Sequence, residues 1–339
     1  MNTSMTIQDH IDLAHSLEGI GLIDAAETEV DFALEMDPDN PETWREKWIV
    51  CRMSKRWAEG LIAVAHMEAA WPTVCQVWNV KGWCLRELGR HAEALLAFEE
   101  AIRLAPSEAG SWFNKAVELQ HLDRWNEQLV TVERSLELNS EYAPAWYIKA
   151  MALNMLKRHK EAVIAFEQAL RLDPSDYQAW TYKADSLRKI GRMKEGLASV
   201  EHALLLDGQY GPAWNIKGNL LSDFARYEEA IAAYDNAIEL LPKSIGYILA
   251  NKCRALGMLG RHREALAVSL RIIEVMPDKD VGWYDAAVDY AQLGRYTESL
   301  CNLKRAIELN PDVRRRGRED AAFRNMHDDP EFQRIITDP

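Results

Sequence analysis

The feature that most constrains this chain is a tryptophan that returns every 34 residues: Trp78, Trp112, Trp146, Trp180 and Trp214 keep the interval without a slip. Trp44 extends the series backwards, and Trp283 extends it forwards after one inserted residue. A fixed period of this length marks stacked repeats, in which each element packs on its neighbours and no single core serves the whole chain. With the Trp at position 4, nine units run 7–40, 41–74, 75–108, 109–142, 143–176, 177–210, 211–244, 246–279 and 280–313. The inserted residue falls near Ile245, beside Pro242 and Gly246, where a loop absorbs it without breaking a helix.

Other positions recur in the same phase, each with a packing reason. Position 8 is small in eight of the nine units, as in Gly82, Ala116, Ala150 and Gly218, which suits a close approach of two helices. Position 20 is small as well, from Ala26 to Ser299, and position 27 is Ala in six units. Position 32 is Pro in seven units, from Pro38 to Pro311, and a ring that cannot continue a helix ends the second one there. Between these marks the apolar residues follow helical spacing, as in Trp146, Ala150 and Leu153, then Ala162, Phe166, Ala169 and Leu170. Pairs such as Gly89-Arg90, Gly191-Arg192, Gly260-Arg261 and Gly294-Arg295 place a left-handed turn between the two helices. Each unit is therefore a helical hairpin and the fold class is all-α.

Trp, small, small, aromatic, Ala and Pro at these offsets resemble the tetratricopeptide repeat family over residues 7–313. The resemblance implies a right-handed superhelical solenoid of helix-turn-helix hairpins that binds a protein or peptide. Departures are local: His10 stands for Trp in the first unit, Trp48 occupies a small position in the second, and Leu249 stands for Trp in the eighth. The fourth unit has Asp123, Gln128 and Ser140 for Gly, Ala and Pro. Residues 314–339 break the pattern. There, Asp329-Pro330 ahead of Phe332, Ile335 and Ile336 reads as an N-capped helix with one apolar face, a cap for the ninth unit.

Composition narrows the function. A formal charge of −13 opposes capture of phosphate backbones, which needs Lys and Arg to release condensed counterions, so nucleic acid is disfavoured as a partner. No basic stretch followed by an apolar core opens the chain and no eighteen apolar residues run together, so a cytoplasmic location is the expectation. Five cysteines, Cys51, Cys75, Cys84, Cys253 and Cys301, have irregular spacing and no C-x-x-C pair, which speaks against disulfides and structural zinc. Phosphate-loop, zinc-protease and nucleophile-elbow motifs are all missing, so neither an enzyme, a cofactor nor a metal is expected. His91, His159 and His262 share position 17 after the hairpin turn, where a structural role is the better reading.

The family resemblance implies that positions 2, 5, 9, 12 and 13 of the first helices face a concave groove. Applied here, this mapping yields five acidic residues (Glu18, Glu42, Glu87, Asp185, Asp223) and six basic ones (Arg45, Arg52, Arg86, Arg188, Lys189, Arg254), near neutrality on an acidic chain. The middle of the face is apolar, with Trp83, Phe113, Val117, Tyr147, Met151 and Met155, and an exposed patch of that kind marks a binding site. The expectation is a peptide along units three to six, its apolar side chains on the patch and an acidic portion near Arg188 and Lys189. The competing reading is that these residues merely pack between hairpins.

Asn219 and Asn251 fit the two Asn places of the family's carboxylate clamp for chaperone tails. Asn215, Val281 and Asp285 occupy its other places, so the cations are missing and that function is set aside. Lys47, Lys81, Lys115, Lys149, Lys183, Lys217 and Lys252 at position 7 invite comparison with a cationic ladder; alkyl stems laid along neighbouring helices near Glu are the better reading. The run Arg314-Arg315-Arg316 with Arg318 reads as a solvated helix start, not as a membrane contact. Two alternatives to a peptide-binding scaffold stay open: self-association into a homo-oligomer through the solenoid ends, and a nucleic-acid-binding helical repeat.

Overall fold

The computed structural model describes residues 5–242 and 245–337. Positions 243–244 of the seventh unit and 338–339 of the C-terminal segment therefore lie outside the described residues. Helices come in consecutive pairs. They are α1 (Ile7–Gly19) and α2 (Ile23–Met36), α3 (Pro41–Met53) and α4 (Trp57–Ala70), α5 (Cys75–Glu87) and α6 (His91–Leu104), α7 (Ala109–His121) and α8 (Trp125–Leu138), and α9 (Ala143–Met155) and α10 (His159–Leu172). Then follow α11 (Tyr177–Lys189) and α12 (Met193–Leu206), α13 (Gly211–Asp223) and α14 (Tyr227–Leu240), α15 (Ile245–Met258) and α16 (His262–Val275), and α17 (Asp280–Gln292) and α18 (Tyr296–Leu309). The chain ends with α19 (Val313–Glu319), a 3-10 segment Ala321–Met326 and α20 (Pro330–Thr337). Among the described residues there is no strand. The hairpins fall into two compact bodies, one ending at Leu172 and one beginning at Asp173.

Within each body the hairpins are joined by the periodic Trp. Its indole N–H donates to the carbonyl six residues earlier, in the loop that closes the preceding hairpin: Trp44 to Pro38 at 2.7 Å, Trp78 to Pro72 at 2.9 Å and Trp146 to Ser140 at 2.8 Å. Trp112, Trp180, Trp214 and Trp283 repeat the bond at 2.9–3.0 Å. Where the Trp is missing, another contact replaces it: His10 Nδ1 lies 2.6 Å from Glu29, and Leu249 is buried among Leu221, Ala230 and Leu256.

The small residue at position 8 lets the two helices of a hairpin close on the large residue at position 24. A Cβ on Gly82 would lie 2.5 Å from the Phe98 ring, and one on Gly218 would lie 2.5 Å from Tyr234, so both aromatics stay fully buried. Trp48 reverses the sizes in the second hairpin, where Gly60 at position 20 leaves room beside its ring. Ala26, Ala94, Ala162 and Ala230 at position 20 are completely buried, as close helix contact requires.

In the second body the terminal segment covers the last hairpin. Phe323, Met326, Phe332 and Ile336 are buried with Leu303, Ala306 and Ile307 of α18. Asp329 caps α20 by accepting from the backbone N–H groups of Glu331 and Phe332, and Tyr284 of α17 donates to Asp320 at 2.7 Å.

The turns inside the hairpins all need a left-handed residue. Gly21, Gly89, Gly191, Gly260 and Gly294 supply it, whereas Lys55, Asp123, Lys157 and Ala225 adopt it with a side chain (Ala225 φ 58°). A left-handed Cβ clashes with its carbonyl at a cost of roughly 1–2 kcal/mol, which glycine escapes. Ala225→Gly is therefore expected to stabilise the protein by about 1 kcal/mol and Gly191→Ala to destabilise it by about as much. Denaturant unfolding of both variants checks the opposite signs.

Candidate functional site

Most charge on this protein is spent within the fold. Arg at the start of every second helix after α2 pairs with Glu three residues on, as in Arg90–Glu93, Arg124–Glu127, Arg158–Glu161 and Arg226–Glu229. These Glu lie in the first turn, where the helix dipole favours a negative charge. The position-7 lysines reach back to the preceding hairpin: Lys115 to Glu99 at 2.9 Å, Lys149 to Glu133 at 2.9 Å and Lys252 to Asp235 at 2.5 Å. Lys81, Lys149, Lys183 and Lys217 also sit 4.7–5.4 Å over the Trp of their own helix. A lysine held between a carboxylate and an indole face is not a free rung for an acidic polymer.

On the first body, α5, α7 and α9 are neighbours and present the residues singled out from sequence. Trp83 on α5 and Met155 on α9 are exposed, at 38% and 51%. Phe113, Val117 and Tyr147 are half-buried against Ala116, Val132, Leu136, Ala145 and Ile148. Phe113 meets Tyr142 edge-on with ring centroids 5.0 Å apart, and Tyr147 meets buried Phe166 at 6.0 Å. Met151 is half-buried on the same helix. The apolar set thus divides: Trp83 and Met155 offer surface, while Phe113, Val117 and Tyr147 also hold hairpins together.

The charged candidates are mostly committed. Arg86 pairs with Glu118, whose carboxylate is completely buried, and also donates to the Asn114 carbonyl at 3.1 Å. His91 closes on the other Glu118 oxygen at 2.9 Å and stacks on His121 at 4.3 Å. In the second body Arg188 bridges Asp185 and Asp223, each at 3.1 Å. An acidic guest at Arg188 would meet these two carboxylates before the guanidinium, whereas Lys189 beside it is exposed. Asn219 is likewise engaged, since its Oδ1 accepts from the Tyr234 hydroxyl at 2.9 Å and from Asn251 Nδ2 at 3.1 Å. Arg254 is exposed and donates to the Asn251 side chain at 3.4 Å.

Sequence reasoning missed Glu118 and Asp289. Both occupy position 10, where Val50, Cys84, Ala152 and Leu220 are buried in other hairpins. Each meets the position-17 histidine 27 residues earlier, His262 lying 3.1 Å from Asp289 as His91 does from Glu118. The legible signal was an acid at a position that holds small or apolar residues in the other hairpins, paired at fixed distance with a histidine. Asp289 also accepts from Ser269, at 3.1 Å, in a corner shared with Cys253, whose thiol burial pushes far up.

Beside that corner lies a cavity of about 700 Å³ bounded by Arg254, Val281, Tyr284, Asp285, Val288 and Arg316. Burial, and next the charge of Asp289, push the Asp285 carboxyl up to about 7 against the pull of Arg254 and Arg316. Arg316 lies flat over the Tyr284 ring at 4.1 Å.

With this geometry in hand, comparison with known proteins is direct. Tetratricopeptide repeat profiles match residues 75–108, 143–176, 164–212 and 211–244. No curated protein matches the sequence significantly. Among solved structures, a chain of the APC/C hetero-tetramer Cut9-Hcn1 is similar at 15% identity and TM-score 0.58, covering 90% of this chain and 60% of that one. This chain thus spans less than two thirds of that relative's length. A tetratricopeptide repeat protein from Parabacteroides merdae is similar at 15% identity and TM-score 0.58, covering 74% of this chain and 98% of that one. The human IFIT1 dimer with m7Gppp-AAAA is similar at 16% identity and TM-score 0.54, covering 91% and 78%. At such identities the likeness is one of fold.

Two outcomes follow for the buried acids. Arg86→Ala leaves Glu118 buried with only His91, and is expected to destabilise the first body by about 3 kcal/mol, with Arg86→Ala/Glu118→Gln recovering part of the loss. Urea unfolding of the single and double variants measures it. A carboxyl that titrates near 7 when folded, instead of 3.8, binds its proton more tightly in the folded state. Its contribution to stability is complete below about pH 4 and is lost as pH rises through about 7. Asp285→Asn should thus raise the Tm at about pH 8 and leave it unchanged at about pH 4, read by thermal melts.

Proposed function

Because the chain belongs to the tetratricopeptide repeat family, we propose that it is a non-catalytic protein-interaction scaffold that holds a partner peptide against the shared face of α5, α7 and α9. The observation that carries this reading is the exposure of Trp83 and Met155 beside half-buried Phe113, Tyr147 and Met151, on a protein whose arginines and lysines are largely paired with its own carboxylates. Large apolar side chains left on a face of adjoining helices lose most by remaining in water. A guest whose apolar side chains cover them gains that term without displacing an ion pair. Residues 7–313 serve in this reading as nine repeat units and 314–339 as their cap.

Among the described residues no helix is long and apolar enough to cross a membrane. Charge separates the proposed protein partner from nucleic acid. The neighbour solved with m7Gppp-AAAA shares the fold, but here the position-7 lysines are neutralised by carboxylates, and an acidic chain repels a polyanion. Association end to end through the ninth hairpin meets the chain's own Phe323 and Phe332, which already cover that apolar surface.

Trp83→Ala and Met155→Ala should leave the protein helical by circular dichroism and yet release the partners recovered by affinity capture from the native cell. Variants that keep the same partners would overturn the reading. A steep loss of RNA affinity with salt would transfer it to nucleic acid, and concentration-dependent sedimentation to self-assembly.

A further inference from the structure

The first two hairpins bring together two buried carboxylates, each with an oxygen that accepts no hydrogen bond. Glu18 on α1 is 8% exposed and Glu46 on α3 is 1% exposed. Glu18 Oε1 and Glu46 Oε2 are sealed from solvent and accept no hydrogen bond. One turn before Glu18 on the same helix, His15 places Nδ1 at 3.9 Å from Glu18 Oε2 and 3.8 Å from Glu46 Oε2. One ligand atom from each of the three residues lies within 4.8 Å of the others. Leaving buried carboxylate oxygens unpaired is costly, and burial together with the Glu46 charge holds the Glu18 carboxyl above its usual range.

We propose that His15, Glu18 and Glu46 form a binding site for a divalent transition-metal ion of the Zn²⁺ type. The donor set is one imidazole and two carboxylates, which suits Zn²⁺ and its neighbours, whereas Ca²⁺ and Mg²⁺ demand six or more oxygens. Two carboxylates also match the double charge. Tetrahedral bonds of about 2.0–2.1 Å set neighbouring ligand atoms roughly 3.3 Å apart, so His15 closes on each carboxylate by about half an ångström from 3.8 and 3.9 Å, and the two carboxylates draw together from within 4.8 Å. His15 has the freedom for this, being 75% exposed in its side chain, and its open side leaves the fourth position to water or to a group on a guest. Arg45 grips the other oxygen of Glu46 at 2.8 Å and orients it from outside, as outer partners of metal ligands do.

The placement gives the ion a task. The first hairpin has His10 at the Trp position, so α1, like α15 with its Leu249, lacks the indole bond to a preceding loop that the remaining first helices make. An ion shared between α1 and α3 ties this terminal hairpin to its neighbour.

The test uses the full chain without an affinity tag, freed of metal with a chelator. Titration with Zn²⁺ alone, followed by calorimetry and thermal melts, should show one ion per chain and a raised Tm, since an ion that binds only the folded state stabilises it. His15→Ala, at an exposed position that leaves the fold intact, should weaken Zn²⁺ binding roughly tenfold or more. Glu18→Gln should abolish the Tm rise while circular dichroism stays helical. The proposal is overturned if the parent takes up no stoichiometric ion, if both variants bind Zn²⁺ as tightly as the parent, or if Mg²⁺ and Ca²⁺ raise the Tm as much as Zn²⁺ does.

Discussion

The hydrogen bond from an indole N–H to a loop carbonyl six residues earlier is the joint on which this architecture depends. A helical hairpin cannot bury its apolar face alone, so its neighbour must sit at a fixed distance and angle. The Trp meets both needs, since its ring fills the space between hairpins while its single donor satisfies a carbonyl in the loop behind it. Small residues at positions 8 and 20 then let the helices of each hairpin close on aromatic partners such as Phe98, Phe166 and Tyr234. The two hairpins that lack the Trp compensate differently: Leu249 buries itself, while His10 leans on Glu29.

A second constraint is electrostatic. An excess of acid could leave a repeat protein with self-repelling faces, yet most cations described here are held by carboxylates on their own or the preceding hairpin. Lys149 illustrates the economy, lying between Glu133 and the Trp146 ring, so that one side chain serves packing and charge together. What stays uncommitted then stands out: the Trp83 and Met155 surfaces, the exposed Arg254 by its cavity, and the Glu18–Glu46 oxygens. Each is a place where the fold stops short of satisfying its own groups.

The acids at position 10 show how a repeat acquires individuality. Glu118 and Asp289 interrupt a column of buried apolar residues, and each is tolerated because a histidine of the preceding hairpin meets it. Arg86 then joins Glu118, and the resulting network fixes α5 against α7 more specifically than apolar contact does. The same acids alter the neighbourhoods in which they lie, as the raised Asp285 beside Asp289 demonstrates.

The 34-residue period, the hairpin unit, the turn positions and the capping signal at Asp329-Pro330 were all readable from the amino acids, because each follows from local rules: helical spacing, ring geometry, left-handed turns. The apolar residues of α5, α7 and α9 were named from the groove positions that the family resemblance implies, of which 5, 9 and 13 lie one turn apart on one face. What the sequence did not reveal was which of the named charges were free. Arg86 and Arg188 read as groove cations until the fold set Glu118, Asp185 and Asp223 against them, and Glu18 read as a groove acid until Glu46 was brought beside it out of water. Secondary structure is settled over a few residues, whereas the partner of a charge is chosen by residues about thirty positions away that only packed hairpins make neighbours.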